Sequence, residues 1–291
     1  MKNIVLKFQA LMKKIGLVDL PKLSYPSIHQ RIHKLNIEKA TSKTLNHLQK
    51  TLSSEEWDKV LLVIPDAFTS FYDASTFESV CHCLIALGYR PLLVPFHPNG
   101  KGLHVKGQID AFKNCATQHL KELKKLDSWK RQFIAIDPAV ALTYRDEYKQ
   151  VDPDHSLSIA LLQEWLNTQL SDLPSLSLKH HQDKLPPLFG HCTETTALTH
   201  SNTLWSQIFA HFDLSLSTPK VGCCGMCGAF GHEQKHAQES KGIFDLSWQP
   251  RIDEMTSNSE ILATGYSCRS QVKRCSSAQA IHPCVWLARF L

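Results

Sequence analysis

The sequence predicts an α/β fold made of two pseudo-repeated parallel-sheet α/β halves preceded by an N-terminal helical arm. Three observations lead there: short, continuous apolar runs of strand length; amphipathic segments of helix length alternating with them; and turn motifs that recur from one half of the chain to the other. The 291 residues are 43% hydrophobic and 20% charged, enough for a sizeable core. The net charge of +5 is spread along the chain, and nothing marks nucleic acid as a partner. No stretch approaches the roughly 20 continuous apolar residues of a membrane span. Lys7, Lys13 and Lys14 interrupt any secretory apolar core, so a cytoplasmic protein is expected, with peripheral attachment at the inner face of the membrane as the alternative.

Taken in order, Ile4, Val5, Phe8, Leu11, Met12 and Ile15 fall at helical spacing between lysines, and Leu20 to Pro26 reads as an extended connector. Val60 to Ile64 is the unbroken aliphatic run of a strand covered on both faces. A helix follows, capped near Asp73 and Ser75, with Phe77, Val80, Cys81, Leu84 and Ile85 on one face and a stop at Gly88. Next come a strand at Leu92 to Val94, a turn over His97 to Gly102, a long helix to about Leu126 and a strand at Phe133 to Ile136. A helix is predicted from Ser156 to Leu170, and a Pro-, Ser- and His-rich stretch up to Pro187 marks an internal boundary. The domain reading is therefore an arm and connector over residues 1–50, a first repeat over 51–175, and a second over 176–291.

Ten cysteines in a reducing compartment point to metal or redox chemistry rather than to a disulfide framework. Cys192, Cys223, Cys224, Cys227, Cys268, Cys275 and Cys284 all lie in the last hundred residues, whereas Cys81, Cys83 and Cys115 read as small core hydrophobes. The repeat sharpens this contrast. Pro65 to Thr69 resembles Phe189 to Thr193, Pro98-Asn99-Gly100 resembles Cys223-Cys224-Gly225, and Asp137 to Val140 resembles Gly265 to Cys268, at nearly constant separation. At each place the first copy carries a residue that cannot ligate through sulfur and the second carries cysteine. All three places follow predicted strands, so Cys192, Cys223, Cys224 and Cys268 should converge at the carboxyl edge of a parallel sheet. Four thiolates from three loops suit an iron-sulfur cluster and also suit zinc. His191 and His232 flank these loops, where both a ligand role and a hydrogen-bonded structural role fit. Arg269, Lys273 and Arg274 read as the basic opening of a helix after Cys268, next to the positive end of its dipole. They are candidate anion or partner contacts there.

The adjacent Cys223-Cys224-Gly225 resembles the CCG, or cysteine-rich, domain of the heterodisulfide reductase B subunit, of the iron-sulfur subunit of anaerobic glycerol-3-phosphate dehydrogenase, and of FAD-linked 2-hydroxy acid dehydrogenases. Asp66 to Asp73, Pro98 to Lys101, Tyr144 to Tyr148, Gly190 to Glu194, Gly222 to Met226 and Ala263 to Arg274 are similar to the C-terminal third of the large bacterial FAD- and iron-sulfur-containing D-2-hydroxyglutarate or D-lactate dehydrogenases. The resemblance covers the chain from about Ile15 onward. It implies an iron-sulfur cluster on Cys192, Cys223, Cys224 and Cys268, with Cys227 and His191 as further metal-ligand candidates and zinc as the alternative metal. It also implies an oxidoreductase component with no catalytic residue of its own, passing electrons toward a quinone or other carrier. FAD would then reside on a partner polypeptide that also carries ferredoxin-like cysteines, since no GxGxxG loop occurs here. Two other readings are a zinc-held, non-catalytic docking domain and an inactive fragment of a split gene. In one respect the pattern departs from the family: its closing CxxC is here Cys268-Arg269-Ser270-Gln271, without the second cysteine.

Overall fold

The computed structural model describes residues 16–255 and 259–291, so the amphipathic segment expected over residues 4–15 lies outside the described residues. Residues 19–24 form no helix or strand and run along the surface, as the connector reading expects. Two short helices follow, α1 (Ile28–Lys34) and α2 (Ser42–Thr51), capped by Ser27 and Thr41; then α3 (Ser54–Asp58) is opened by a Ser53/Glu56 capping box. Ile28 and Ile32 of α1 and Leu45 and Leu48 of α2 are buried, so this part of the arm is packed into the body.

The first half is a four-stranded parallel sheet of β1 (Val60–Ile64), β2 (Arg90–Leu93), β3 (Gln132–Ala135) and β4 (Ile159–Leu161), in the order β2-β1-β3-β4. All five residues of β1 are buried because alternate side chains enter different layers. Leu61 and Val63 pack with Phe77, Val80 and Leu84 of α5 (Ala74–Ala86), which follows α4 (Ala67–Phe71). Val60, Leu62 and Ile64 pack instead with Phe112, Leu120 and Leu123 of α7 (Ile109–Asp127) and Val140 of α8 (Pro138–Arg145).

Two expectations for this half need correction. The long helix before Leu126 is split into α6 (Lys101–Val105) and α7, because Gly107 at φ +70° breaks the hydrogen-bond ladder. The helix expected over Ser156 to Leu170 begins only at α9 (Leu162–Thr168). Its first residues are β4, since Ile159, Ala160 and Leu161 find a free edge beside β3. The periodicity of Leu157, Leu161 and Leu162 could not distinguish these outcomes, because the edge of β3 is a tertiary feature.

The second half is built on a smaller, two-stranded sheet. β5 (Glu260–Leu262) pairs in parallel with β6 (Gln279–Ile281), and Leu188 bridges in parallel to Leu262 while its N–H donates to Ser217 O at 2.8 Å. The spatial order of Ser217, Leu188, β5 and β6 therefore matches β2, β1, β3 and β4. Helices α10 (Cys192–Ala197), α11 (Ser201–His211), α12 (Ala237–Asp253), α13 (Tyr266–Cys275) and α14 (Pro283–Leu287) occupy the chain positions of α4, α5, α7, α8 and α9. One apolar layer runs through both halves: Leu61, Phe77 and Leu84 share it with Trp205, Phe209, Leu262 and Trp286. No helix among the described residues is long and apolar enough to cross a membrane.

Gly100 and Gly225 occupy matching turns, both left-handed, at φ +76° and φ +85°. Their surroundings differ. A Cβ on Gly225 would run into the carbonyl oxygen of Ser240 on α12, whereas one on Gly100 would lie 2.9 Å from a ring carbon of Phe112. Gly100→Ala should therefore cost about 1–2 kcal/mol for the left-handed backbone, with some relief from ring movement. Gly225→Ala should cost several kcal/mol more because backbone must move, a ranking that urea denaturation of the two variants will read directly.

Candidate functional site

Helix caps place the reactive groups. His191 is the N-cap of α10, which makes Cys192 its first residue; Gly265 caps α13, which makes Cys268 its third. Cys223 and Cys224 lie on the loop that turns at Gly225. By these caps Asp66 of the first half corresponds to His191, Asp137 to Gly265 and Val140 to Cys268. Ala67, one residue before the expected Phe68, stands where Cys192 stands.

The four cysteines expected to converge are linked here as successive neighbouring pairs. Cys192 Sγ and Cys223 Sγ are 3.9 Å apart, and the Cys224 thiol interacts with the sulfurs of both Cys223 and Cys268. Cys268 and Cys224 are buried, Cys192 is half-buried and Cys223 is exposed, so the group runs from the core of the second half to its surface. Hydrogen bonds from the thiols of Cys192 and Cys224 drive the Cys223 thiol well below the usual thiol range, helped by the Gly225 N–H at 3.3 Å. Cys192 and Cys224 are pushed up, chiefly because each donates to Cys223.

His191 is buried, with Nε2 3.3 Å from Ser267 Oγ and Nδ1 meeting no partner among the described residues. Burial pulls its pKa down against the opposing pull of the Asp137 and Cys223 charges, so the ring is kept neutral and able to ligate. The donor set is chemically suited to a thiophilic metal. The 3.9 Å Cys192–Cys223 separation is near the ~3.8 Å edge of a tetrahedron with metal–sulfur bonds of about 2.3 Å. Among the described residues, however, no group of three or more His, Cys, Asp or Glu side chains is already arranged around a common metal position.

The remaining candidates fall elsewhere. Cys227 is exposed at φ +40°, with no hydrogen bond to the other four thiols among the described residues. Lys273 and Arg274 occupy the last turn of α13, where they complement its negative end. This corrects the reading of a basic helix opening, since α13 starts two residues before Cys268 and the dipole is already matched. Arg269 is buried within the fold: Nε and Nη2 bind Asp73 Oδ2 at 3.1 and 2.7 Å, and Nη1 donates to the carbonyls of Ala263 and Thr264. Asp73 therefore sits at the N-cap of α5 without capping its backbone. His232 binds Asp19 through Nδ1. Cys83 donates to the Cys284 carbonyl and Cys81 is in the core, as their structural reading expects.

Sequence reasoning missed the carboxylates of the first half. Asp66 accepts from the N–H groups of Phe68 and Thr69 and the Thr69 hydroxyl, and Asp137 caps α8 while its Oδ2 accepts from Tyr266 N at 2.9 Å. The Asp137-Pro138 start signal was available for a cap. The reach to Tyr266, 129 residues away, was not. Glu194 is likewise buried, bonded to Gln163, Ser201 and Thr264, with its pKa raised to about 7 by burial.

No family model matches this chain. Among curated proteins it is similar to D-2-hydroxyglutarate dehydrogenases. It is 39% identical over 273 residues to that of Escherichia coli (93% of this chain, 26% of that protein) and 39% identical over 271 residues to that of Pantoea ananatis (92% and 26%). To that of Pseudomonas putida it is 34% identical over 276 residues (94% and 26%). The chain spans about a quarter of the length of the curated relatives it matches.

The Asp66 carboxyl is pushed up to about 6, first by burial and then by the nearby Asp137 charge. A folded-state pKa above the unfolded value means that its stabilising contribution is complete below about pH 4 and is lost as pH rises through about 6. Asp66→Asn should therefore cost less at pH 7 than at pH 4, the difference being about 1–3 kcal/mol. Urea unfolding of both proteins at the two pH values measures this; a cost independent of pH would contradict it.

Proposed function

We propose that this chain is an iron-sulfur electron-transfer module of a flavin-dependent D-2-hydroxy acid dehydrogenase, acting on D-2-hydroxyglutarate. The carrying observation is the meeting of Cys192, Cys223, Cys224 and Cys268 at one sheet edge, in a chain similar over nine-tenths of its length to D-2-hydroxyglutarate dehydrogenases. The name those relatives carry favours 2-hydroxyglutarate over D-lactate. The four cysteines would hold the cluster, with His191 Nδ1 and Cys227 as further donors in place of the absent last cysteine of the family pattern. A cluster there would accept and release electrons one at a time, whereas removal of hydride from the substrate needs a two-electron acceptor such as flavin. FAD is therefore assigned to a partner polypeptide carrying ferredoxin-like cysteines, and a quinone or another carrier to the far end of the route.

What this chain's own residues contribute is placement and charge. Buried Cys224 and Cys268 anchor the site to α13 and the core, and exposed Cys223 gives it a solvent face for electron exchange. The Gly225 N–H stabilises sulfur charge without adding a fixed cation. A zinc-held docking role is the second reading, favoured by the 3.9 Å Cys192–Cys223 separation, which suits two ligands of one metal atom.

Iron, zinc and acid-labile sulfide analysis of protein purified without oxygen tests both readings. Iron with matching sulfide is expected; zinc without sulfide would overturn the electron-transfer reading in favour of the second. Cys224→Ser should abolish metal loading, while Cys83→Ser should retain it and lower only the thermal midpoint. The purified chain alone should not reduce a dye with D-2-hydroxyglutarate, and adding an FAD-containing partner polypeptide should start the reaction. Dye reduction without that addition would refute the module assignment.

A further inference from the structure

Away from the cysteines, the segment Asp19 to Leu23, the start of α5 and the outer face of α13 enclose a cleft of about 850 Å³. None of Cys192, Cys223, Cys224 or Cys268 lines it. Lys22, Arg269, Lys273 and Arg274 contribute cations, and Asp19 and Asp73 contribute the acids. Both acids are already consumed within the fold. Asp73 is bound by buried Arg269 at 2.7 Å, and Asp19 is bound by Arg274 Nε at 2.7 Å and by His232. Lys22 and Lys273 make no ion pair among the described residues, so two cations of the lining are uncompensated within the fold.

Further positive potential points the same way. Arg274 spends Nε on Asp19 and Nη1 on Gln271, leaving Nη2 without a protein acceptor among the described residues. Ser75 and Thr76 of the lining lie in the first turn of the thirteen-residue α5, whose dipole is positive at this end. The facing wall is apolar, made by Ala278, Ala280, Ile281 and Val285. Cations focused in a concavity against an apolar wall suit an anion with a hydrocarbon body.

We infer that this cleft binds a small organic dicarboxylate, its carboxylates on Lys22, Lys273 and the free edge of Arg274 and its methylene chain against the Ile281 wall. The site is independent of any metal at the cysteines. Titration calorimetry of the full chain at low ionic strength, with glutarate as the probe and glutaramide as its uncharged counterpart, tests the inference. Saturable glutarate binding is expected, weakened about tenfold or more by the double substitution K22Q/K273Q, with no saturable binding of glutaramide. Both lysines are exposed and unpaired, so the double variant should keep the parent's melting curve and metal content, which separates this test from that of the electron-transfer reading. Three outcomes would each overturn it: no saturable glutarate binding to the folded chain, unchanged affinity in the double variant, or equal binding of glutaramide.

Discussion

Arg269 lies where the two halves of the molecule, the cysteine edge and the basic cleft all meet. Its guanidinium reaches back to the carbonyls of Ala263 and Thr264, fixing how α13 leaves β5, and forward to Asp73 at the start of α5. A buried cation persists only if its donors find acceptors, and here the partners are the first half's carboxylate and the second half's strand end. Cys268 precedes it on the same helix, so the bond that joins the halves also sets the buried end of the thiol group. Nearby, Asp137 takes the Tyr266 N–H, and the Tyr266 ring stacks on Phe68 at 4.6 Å. The start of α13 is thereby held from three directions.

The same loop plan carries different chemistry in the two halves. At the carboxyl edge of the first sheet, Asp66 and Asp137 satisfy helix-start N–H groups and leave little room for a ligand, while Pro98, Asn99 and Val140 stand where the second half has Cys223, Cys224 and Cys268. In the second half the caps are His191 and Gly265. A side chain on Gly265 would run into the His191 ring, so only glycine fits there. Acidic caps make the first edge structural, and a neutral imidazole with four thiols makes the second edge reactive.

The relatives are about four times as long as the segment matched here, so this chain spans about one quarter of the proteins that carry that activity in their name. Its thiols are graded from core to surface, and a cleft lined by cations from the arm and the second half lies apart from those thiols.

Much of this was written locally. Val60 to Ile64 announced a doubly covered strand through its composition, and the spacing of Cys192, Cys223, Cys224 and Cys268 against turns of the first half announced a shared edge. Other features depended on partners remote in the chain. Ile159 to Leu161 became a strand only because β3 offered an open edge, and Lys273 and Arg274 changed from a helix opening to a helix end once α13 began at Tyr266. Asp73 was drawn off its expected capping role by Arg269, 196 residues away. Strand periodicity, capping and residue chemistry are properties of a few neighbouring residues and can be read from them. Which carboxylate meets which cation, and which edge is left open, is decided by long-range packing, where the cost of burying an unpaired charge or N–H group selects the partner.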